Sequence, residues 1–399
     1  MSDRLERLLA AAVPEVCPAA VALIAAHGTV TAVAAAGELV RYADAEPTGV
    51  SGGGPDGGRD GVSAGGQGGG GGEPGRLAAE RPPARRDSVF DLASVSKLCT
   101  TAVVLSLTEE GLLDLDEPVA AWIPGADPRI TLRRLLTHTA GLTPTRRVDL
   151  ELPHAGPDER MAAMLTTPVT GPVGGPYLYS DVGMVMAGRI AELAASASLD
   201  ALVRARITDV LGLADTAYRP LPGHGRTAQA PGQGQPERGA APGIPVERVA
   251  ATEFKPERPG PGCVRGEVHD ETAHALGGVA GHAGLFAPAD DLLAFGEALR
   301  LGGGAMLSPS SVAEMTRDQG AEGAAFRHGL GVRIGDPGIV GPLSGAYGHS
   351  GFTGTSLVVD PARGLTVVLL TNAVHPMRGR PGMRELRCAV AAEALRHVA

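Results

Sequence analysis

The sequence predicts an α/β protein in which an antiparallel β-sheet, flanked by helices, is built from both ends of the chain and accompanied by a mainly helical lobe. Three observations predict it. Ala19 to Ala26 and Thr29 to Ala36 are apolar runs joined at His27-Gly28, a hairpin signal. Thr355 to Asp360 and Leu365 to Thr371 are rich in Val and Leu and separated by Pro361-Ala362-Arg363-Gly364, which reads as an antiparallel pair. Between these terminal strands the apolar residues recur at helical spacing. Strands at both termini with helices between them suggest one sheet and one lobe within a single domain, residues 1–399. The α/β lobe takes residues 1–93 and 290–399 and the helical lobe 94–289.

Each element has a local reason. Leu5 to Ala12 reads as a short helix that Pro14 ends. Residues 49–75 are nearly all Gly with Ser, Pro and Asp, too little apolar surface to offset ordering entropy, and read as a disordered insert. No Lys or Ser/Thr follows there in phosphate-loop spacing. Order returns at Ser88-Val89-Phe90, and a helix is expected from near Ser94 to about Glu110, stopping at Gly111. Thr131 to Leu136, Ser180 to Ala195, Asp290 to Leu299 and Met383 to Val398 carry further helical patterns. Leu221 to Gly262, rich in Pro and Gly, reads as a long loop.

Bulk properties narrow the function. The chain has 399 residues, 43% of them hydrophobic but only 3% aromatic, so the core is expected from Ala, Val and Leu. A net charge of -9 without a basic run argues against nucleic acid and anionic membranes. Met1 to Glu6 mixes charges with no apolar segment behind them, and Ala19 to Ala26 is far short of a membrane span. A cytoplasmic location is the expectation. Cys17, Cys99, Cys263 and Cys388 are scattered without CxxC spacing and read as buried thiols.

The basic residues carry the sharpest signal. Of 35 lysines and arginines, only Lys97 and Lys255 are lysine. Arginine cannot give up its proton in a protein, whereas a buried lysine can. Lys97 lies three residues after Ser94, and on a helix those positions share a face. Serine is a weak nucleophile until a neighbouring base takes its proton. At a helix start the dipole also favours an alkoxide and a neutral amine. The spacing alone is common by chance.

Two further segments add to it. Tyr177-Leu178-Tyr179-Ser180-Asp181 follows a glycine-rich stretch and precedes a helix. A tyrosine facing a cation can shuttle a proton between nucleophile and leaving group; Ser180 or Asp181 serves equally as a helix N-cap. Tyr347-Gly348-His349-Ser350-Gly351-Phe352-Thr353-Gly354-Thr355 is small enough for a substrate to lie against a strand edge, with backbone N–H groups free to face an oxyanion. The plain alternative is a flexible turn into the strand at Thr355.

Ser94-x-x-Lys97, Tyr179-x-Asp181 and His349-Ser350-Gly351, in that order, resemble the serine β-lactamase and penicillin-binding-protein superfamily in its class C branch. Leu135 to Leu142, with His138, and Val268 to Phe286 resemble it too, so the likeness spans about Ala19 to Pro376. The resemblance implies a β-lactamase/transpeptidase-like fold and an acyl-enzyme on Ser94. It implies Lys97 and Tyr179 as the acid/base pair, and no cofactor. It also implies that the N–H groups of Ser94 and Phe352 form an oxyanion hole, while Asp181, His349, Ser350 and Gly351 line the substrate site.

Two departures bear on substrate. Asp181 stands where many relatives have Asn, and its carboxylate would keep Lys97 charged and shift base duty to Tyr179. His349 replaces a permanent cation and would hold a substrate carboxylate less firmly. Both favour esters, or amides without an essential carboxylate, over β-lactams. His269, Asp270, Glu271, His274 and His282 do not match a compact metal-ligand spacing, so no metal is expected. His138 is expected to order a turn near Gly141.

The reading is a serine hydrolase that cleaves esters or small amides, compatible with a weak β-lactamase activity, and whose partner is a small-molecule ester, amide or peptide substrate. A D-amino-acid peptidase or peptidyl or acyl transferase is the first alternative, and a non-catalytic penicillin-binding sensor the second.

Overall fold

The computed structural model describes residues 2–45, 74–219, 221, 244–258, 260 and 262–398. Most of the glycine-rich insert and much of the expected 221–262 loop lie outside these residues.

Strands β1 (Ala19–Ala26) and β2 (Thr29–Gly37) form the expected hairpin. His27 and Gly28 both have positive φ, 52° and 83°, the backbone that a tight hairpin between right-twisted strands requires. Shorter pieces follow: β3 (Val89–Asp91), β4 (Ala217–Tyr218), β5 (Leu285–Pro288), β6 (Arg327–His328) and β7 (Arg333–Ile334). Strands β8 (Tyr347–Ser350), β9 (Ser356–Asp360) and β10 (Leu365–Thr371) complete the set. The main sheet runs β2-β1-β10-β9-β8-β7-β6, antiparallel throughout. Strand β1 pairs with β10, Ala20 opposite Thr371 and Ala26 opposite Leu365, so the two chain ends meet mid-sheet.

The apolar run in β1 is unbroken because both of its faces are covered. Val21 and Leu23 point into the large core shared with the helix Ser96–Glu109. Ala22 and Ile24 point the other way, toward the helices Ser2–Ala12 and Met383–Ala394. Such two-fold alternation follows from strand geometry.

Strand β3 departs from the one-sheet expectation. It joins β5 and β4 in a separate three-stranded sheet, with Phe90 opposite Ala287. This small sheet carries the chain directly into the turn that holds Ser94. The helices Asp181–Ala195 and Ala289–Arg300 fall where the apolar periodicity puts them. No single described helix is long and apolar enough to cross a membrane.

Candidate active site

Ser94 lies in the 3-10 turn Ala93–Val95, one turn before the helix Ser96–Glu109, rather than in the α-helix itself. The turn is strained: Ala93 has φ 46°, a region that non-glycine residues seldom occupy. Its neighbours hold it there. Asp91 accepts hydrogen bonds from the Ala93 N–H at 2.8 Å and from the His269 N–H at 2.7 Å. Thr353 Oγ1 donates to the Asp91 carbonyl at 2.7 Å and Thr355 Oγ1 to the Leu92 carbonyl at 2.9 Å. Burial raises the Asp91 carboxyl above its usual range, despite those two N–H donors. Sequence reasoning missed the clamping role of Asp91, Thr353 and Thr355, because a clamp between segments this distant has no local pattern.

Three side chains converge at this turn. Lys97 Nζ donates to Ser94 Oγ at 2.8 Å, lies 2.8 Å from Asp181 Oδ1 and also reaches the His282 carbonyl at 3.2 Å. The Tyr179 ring completes the group, its centroid 4.9 Å from Nζ. Lys97 is fully buried, Ser94 only partly so. Burial pulls the ammonium down, but Asp181 and Tyr179 outweigh it and hold the lysine above its ordinary value. The neutral amine favoured by the helix-dipole argument is therefore corrected: the carboxylate beside Lys97 keeps it charged.

Tyr179 is set by both of its neighbours. His138, at φ 57°, takes the Leu178 N–H on its carbonyl at 2.9 Å and the Ser180 N–H on Nδ1 at 3.1 Å. Its ring lies 4.6 Å from that of Tyr179. His138 thus grips the tyrosine segment as well as its own turn. Ser180 caps the following helix through the Gly183 N–H at 3.2 Å, so the N-cap reading also holds.

The third segment is β8. Strand β7 pairs with Tyr347 and Gly348 and then stops, while β9 continues along Ser350. Among the described residues, no strand pairs with His349 and Ser350 on the β7 side, which leaves an open edge beside the site. Gly351 packs against the nucleophile turn: a Cβ there would fall 2.4 Å from the Leu92 carbonyl and 3.2 Å from Ala93 Cβ. Only glycine permits this approach, which brings the Phe352 backbone next to the Ser94 turn. The Phe352 ring is 60% exposed and stacks on His269 at 5.8 Å.

His349 is present but buried, its ring 6.1 Å from that of Tyr179 and its Nδ1 2.8 Å from the Ser350 carbonyl. Burial first, and then Arg333 and Lys97, push its imidazole well below the ordinary value; burial and Lys97 do the same to His138. Both rings are therefore neutral at pH 7. A second cation near Tyr179, besides Lys97, is Arg333, which sequence reasoning missed. Its guanidinium lies 5.1 Å from the Tyr179 ring centroid and 5.4 Å from that of Phe326. Nothing in the Gly331-Val332-Arg333 stretch signals this, since it depends on β7 lying beside β8.

The acidic and histidine residues considered for a metal pair off instead. His269 meets Glu253 at 2.8 Å, His282 meets Asp270 at 2.8 Å, and Glu271 binds Lys255. No cluster of three or more metal-type side chains occurs among the described residues.

Residues 16–392 match the family described as Beta-lactamase. This chain belongs to the beta-lactamase family. A curated relative, a putative D-alanyl-D-alanine carboxypeptidase from Escherichia coli, is 31% identical over 337 residues, 75% of this chain and 73% of the relative. Among solved structures, EstCE1, a hydrolase with promiscuous acyltransferase activity, has a TM-score of 0.66 at 23% identity, covering 98% of each chain. A D-amino acid amidase from Ochrobactrum anthropi has a TM-score of 0.65 at 19% identity, covering 99% of this chain and 98% of its own. A penicillin-binding-protein homologue from Caulobacter crescentus has a TM-score of 0.64 at 19% identity, covering 98% and 96%. The antiparallel sheet with its helices is the fold these structures share. Within this family the protein is a serine hydrolase.

Proposed function

We propose that the protein hydrolyses esters or small amides through an acyl-enzyme on Ser94, with Tyr179 as the proton carrier and Lys97 as a permanent charge. The observation that carries this reading is the 2.8 Å contact of Lys97 with Ser94 Oγ and its equally short pairing with Asp181. An ammonium so paired is a poor acceptor for the serine's proton, which leaves base duty to Tyr179.

In the first half-reaction Ser94 Oγ bonds to the substrate carbonyl carbon as its proton passes to Tyr179. The oxyanion formed is held by the N–H groups of Ser94 and Phe352. The carbonyl re-forms, the bond to the leaving group breaks, and Tyr179 protonates that alkoxide or amine. In the second half-reaction Tyr179 takes a proton from water as the hydroxide adds to the acyl carbon. The proton then returns to Ser94 Oγ as the acid leaves. No step calls for a cofactor.

A neutral His349 supports substrates without an essential free carboxylate. The second reading, cleavage of a C-terminal D-residue from a peptide, is favoured by the name and 31% identity of the curated carboxypeptidase relative. Turnover of p-nitrophenyl acetate and butyrate, and release of D-Ala from short D-Ala-terminated peptides, separate the two. Intact-protein mass spectrometry should show an acyl adduct that is absent in Ser94→Ala. Absence of turnover and adduct with all of these substrates would refute the hydrolase mechanism.

A further inference from the structure

The Phe352 N–H, one of the two oxyanion donors in the mechanism above, belongs to the same peptide unit as the Gly351 carbonyl. Among the described residues the cis peptide bonds are Val13-Pro14 and His375-Pro376, so the Gly351–Phe352 bond is trans. In a planar trans peptide the C=O and the N–H point in opposite directions. Whatever fixes the carbonyl therefore aims the N–H. The Phe352 N–H itself makes no hydrogen bond among the described residues.

The Gly351 carbonyl is held twice. It accepts the Gly354 N–H at 3.0 Å, which closes the turn, and Nη2 of Arg387 at 2.9 Å. The same Nη2 lies 3.4 Å from the Thr355 carbonyl, which also takes the Gly351 N–H at 2.8 Å. Arg387 sits on the helix Met383–Ala394. That helix packs through Leu386 and Val390 into the core on the far side of the main sheet, away from the helix Ser96–Glu109. Arg387 thus reaches the loop from behind, while Gly351 and Thr353 meet the turn that holds Ser94. A hydrogen bond from a charged donor is roughly twice as strong as a neutral one, and linked hydrogen bonds polarise one another. A guanidinium on the carbonyl oxygen draws electron density from the peptide nitrogen and makes its N–H a better donor. An oxyanion feels that change more than a neutral carbonyl does.

We propose that Arg387 is a positioning residue for acyl transfer: its guanidinium, bound to the Gly351 carbonyl from behind the sheet, aims and polarises the Phe352 N–H that holds the oxyanion. The inference rests on the hydrolase reading above, in which that N–H is an oxyanion donor.

Two readouts test it, and one needs no turnover. Gly351-Phe352 is the only Gly-Phe pair in the sequence. Protein labelled with carbonyl-13C glycine and 15N phenylalanine therefore gives a single amide-to-carbonyl NMR correlation, from this peptide unit. In Arg387→Met both of its heavy-atom resonances should move upfield, as the carbonyl loses a donor. With p-nitrophenyl butyrate, kcat and kcat/KM should fall together by about tenfold and KM stay within about twofold, the mark of an interaction made in the transition state. Leu386→Ala, a core truncation on the same helix, should lower the urea midpoint yet keep kcat within about twofold. Should Arg387→Met not fold, Arg387→Gln, which removes the charge, takes its place with the same expectation. Unmoved resonances in the charge-removed variant overturn the proposal. So does a shift with kcat unchanged, or a kcat loss as large in Leu386→Ala, which would mean that a loosened helix suffices. Resonances that move as expected in a protein whose parent turns nothing over would sink the hydrolase reading and leave the coupling of Arg387 to the Phe352 N–H standing.

Discussion

Lys97 and Lys255 are both closed off from solvent, with side chains 0% and 3% exposed, and both lie against carboxylates. Lys97 has one carboxylate, Asp181, and spends another contact on the Ser94 hydroxyl. Lys255 binds Glu271 and approaches Glu253 at 3.5 Å, while Arg378 bridges the same two carboxylates. One lysine thus meets a partly buried hydroxyl beside an open strand edge. The other is a member of a charge network next to Phe352, reached through the His269–Glu253 contact and the Arg378 guanidinium 5.4 Å from the Phe352 ring. A buried ion pair is weak evidence for function by itself. The hydroxyl at the end of the pair, and the open strand edge beside it, separate chemistry from architecture.

The contrast can be broken most sharply at the nucleophile pair. Ser94→Ala and Lys97→Met should each lower kcat/KM for p-nitrophenyl butyrate by at least about a thousandfold, the scale for removing a member of a catalytic unit. Steady-state rates on protein verified as folded by circular dichroism check this. Lys255→Met should do the reverse, keeping kcat/KM within about threefold. It should cost roughly 1–3 kcal/mol in urea unfolding, below the ~3–5 kcal/mol of breaking a buried pair, because Arg378 still holds both carboxylates. A thousandfold rate loss in Lys255→Met would erase the distinction.

Asp181→Asn sharpens the catalytic half. Without the carboxylate, Lys97 loses its strongest hold on the proton, and the alkaline limb of the pH–rate profile should fall by about one unit. An unmoved limb would show that Asp181 does not govern that ionisation. The architectural half has its own pH signature. Lys255 and Arg378 hold Glu271 down to about 2 against the pull of burial. Its contribution to stability is present above the ordinary carboxylate value of 4.5 and is lost as pH falls through about 2. Lys255→Met should therefore lose less stability than the parent between pH 5 and pH 3, measured by urea unfolding at each pH. The smallest effect belongs to His349. Because burial and two nearby cations keep it neutral, His349→Gln should leave the acidic limb of kcat/KM where it is. Movement of that limb would mean that His349 carries a proton in the working enzyme.

Much of this organisation was legible in the chain. The β1–β2 hairpin, the β9–β10 pair and the long helices were readable because each is written in local spacing. The Ser94–Lys97 relation was readable for the same reason, being one helical turn. Tyr179 and the His349-Ser350-Gly351 strand came from the order of motifs rather than from any physical signal of proximity. Three features were not legible. The diversion of β3 into its own sheet depends on β5, almost two hundred residues away. Arg333 looks like any other arginine among 33 until β7 is laid beside β8. The conversion of Lys97 from candidate base to fixed charge was foreshadowed by Asp181 but rests on a 2.8 Å distance.

By itself, then, the sequence determined the periodicity of each element, the apolar faces that had to be covered, and the residue types able to do acyl transfer. Those properties are local, set by backbone geometry and side-chain chemistry within a few residues. The tertiary structure alone decided which charges face one another, which rings are emptied of protons by burial, and which glycine lets one backbone touch another. Charge interaction and desolvation depend on distances in space, and the chain acquires those only when its two ends close into one sheet.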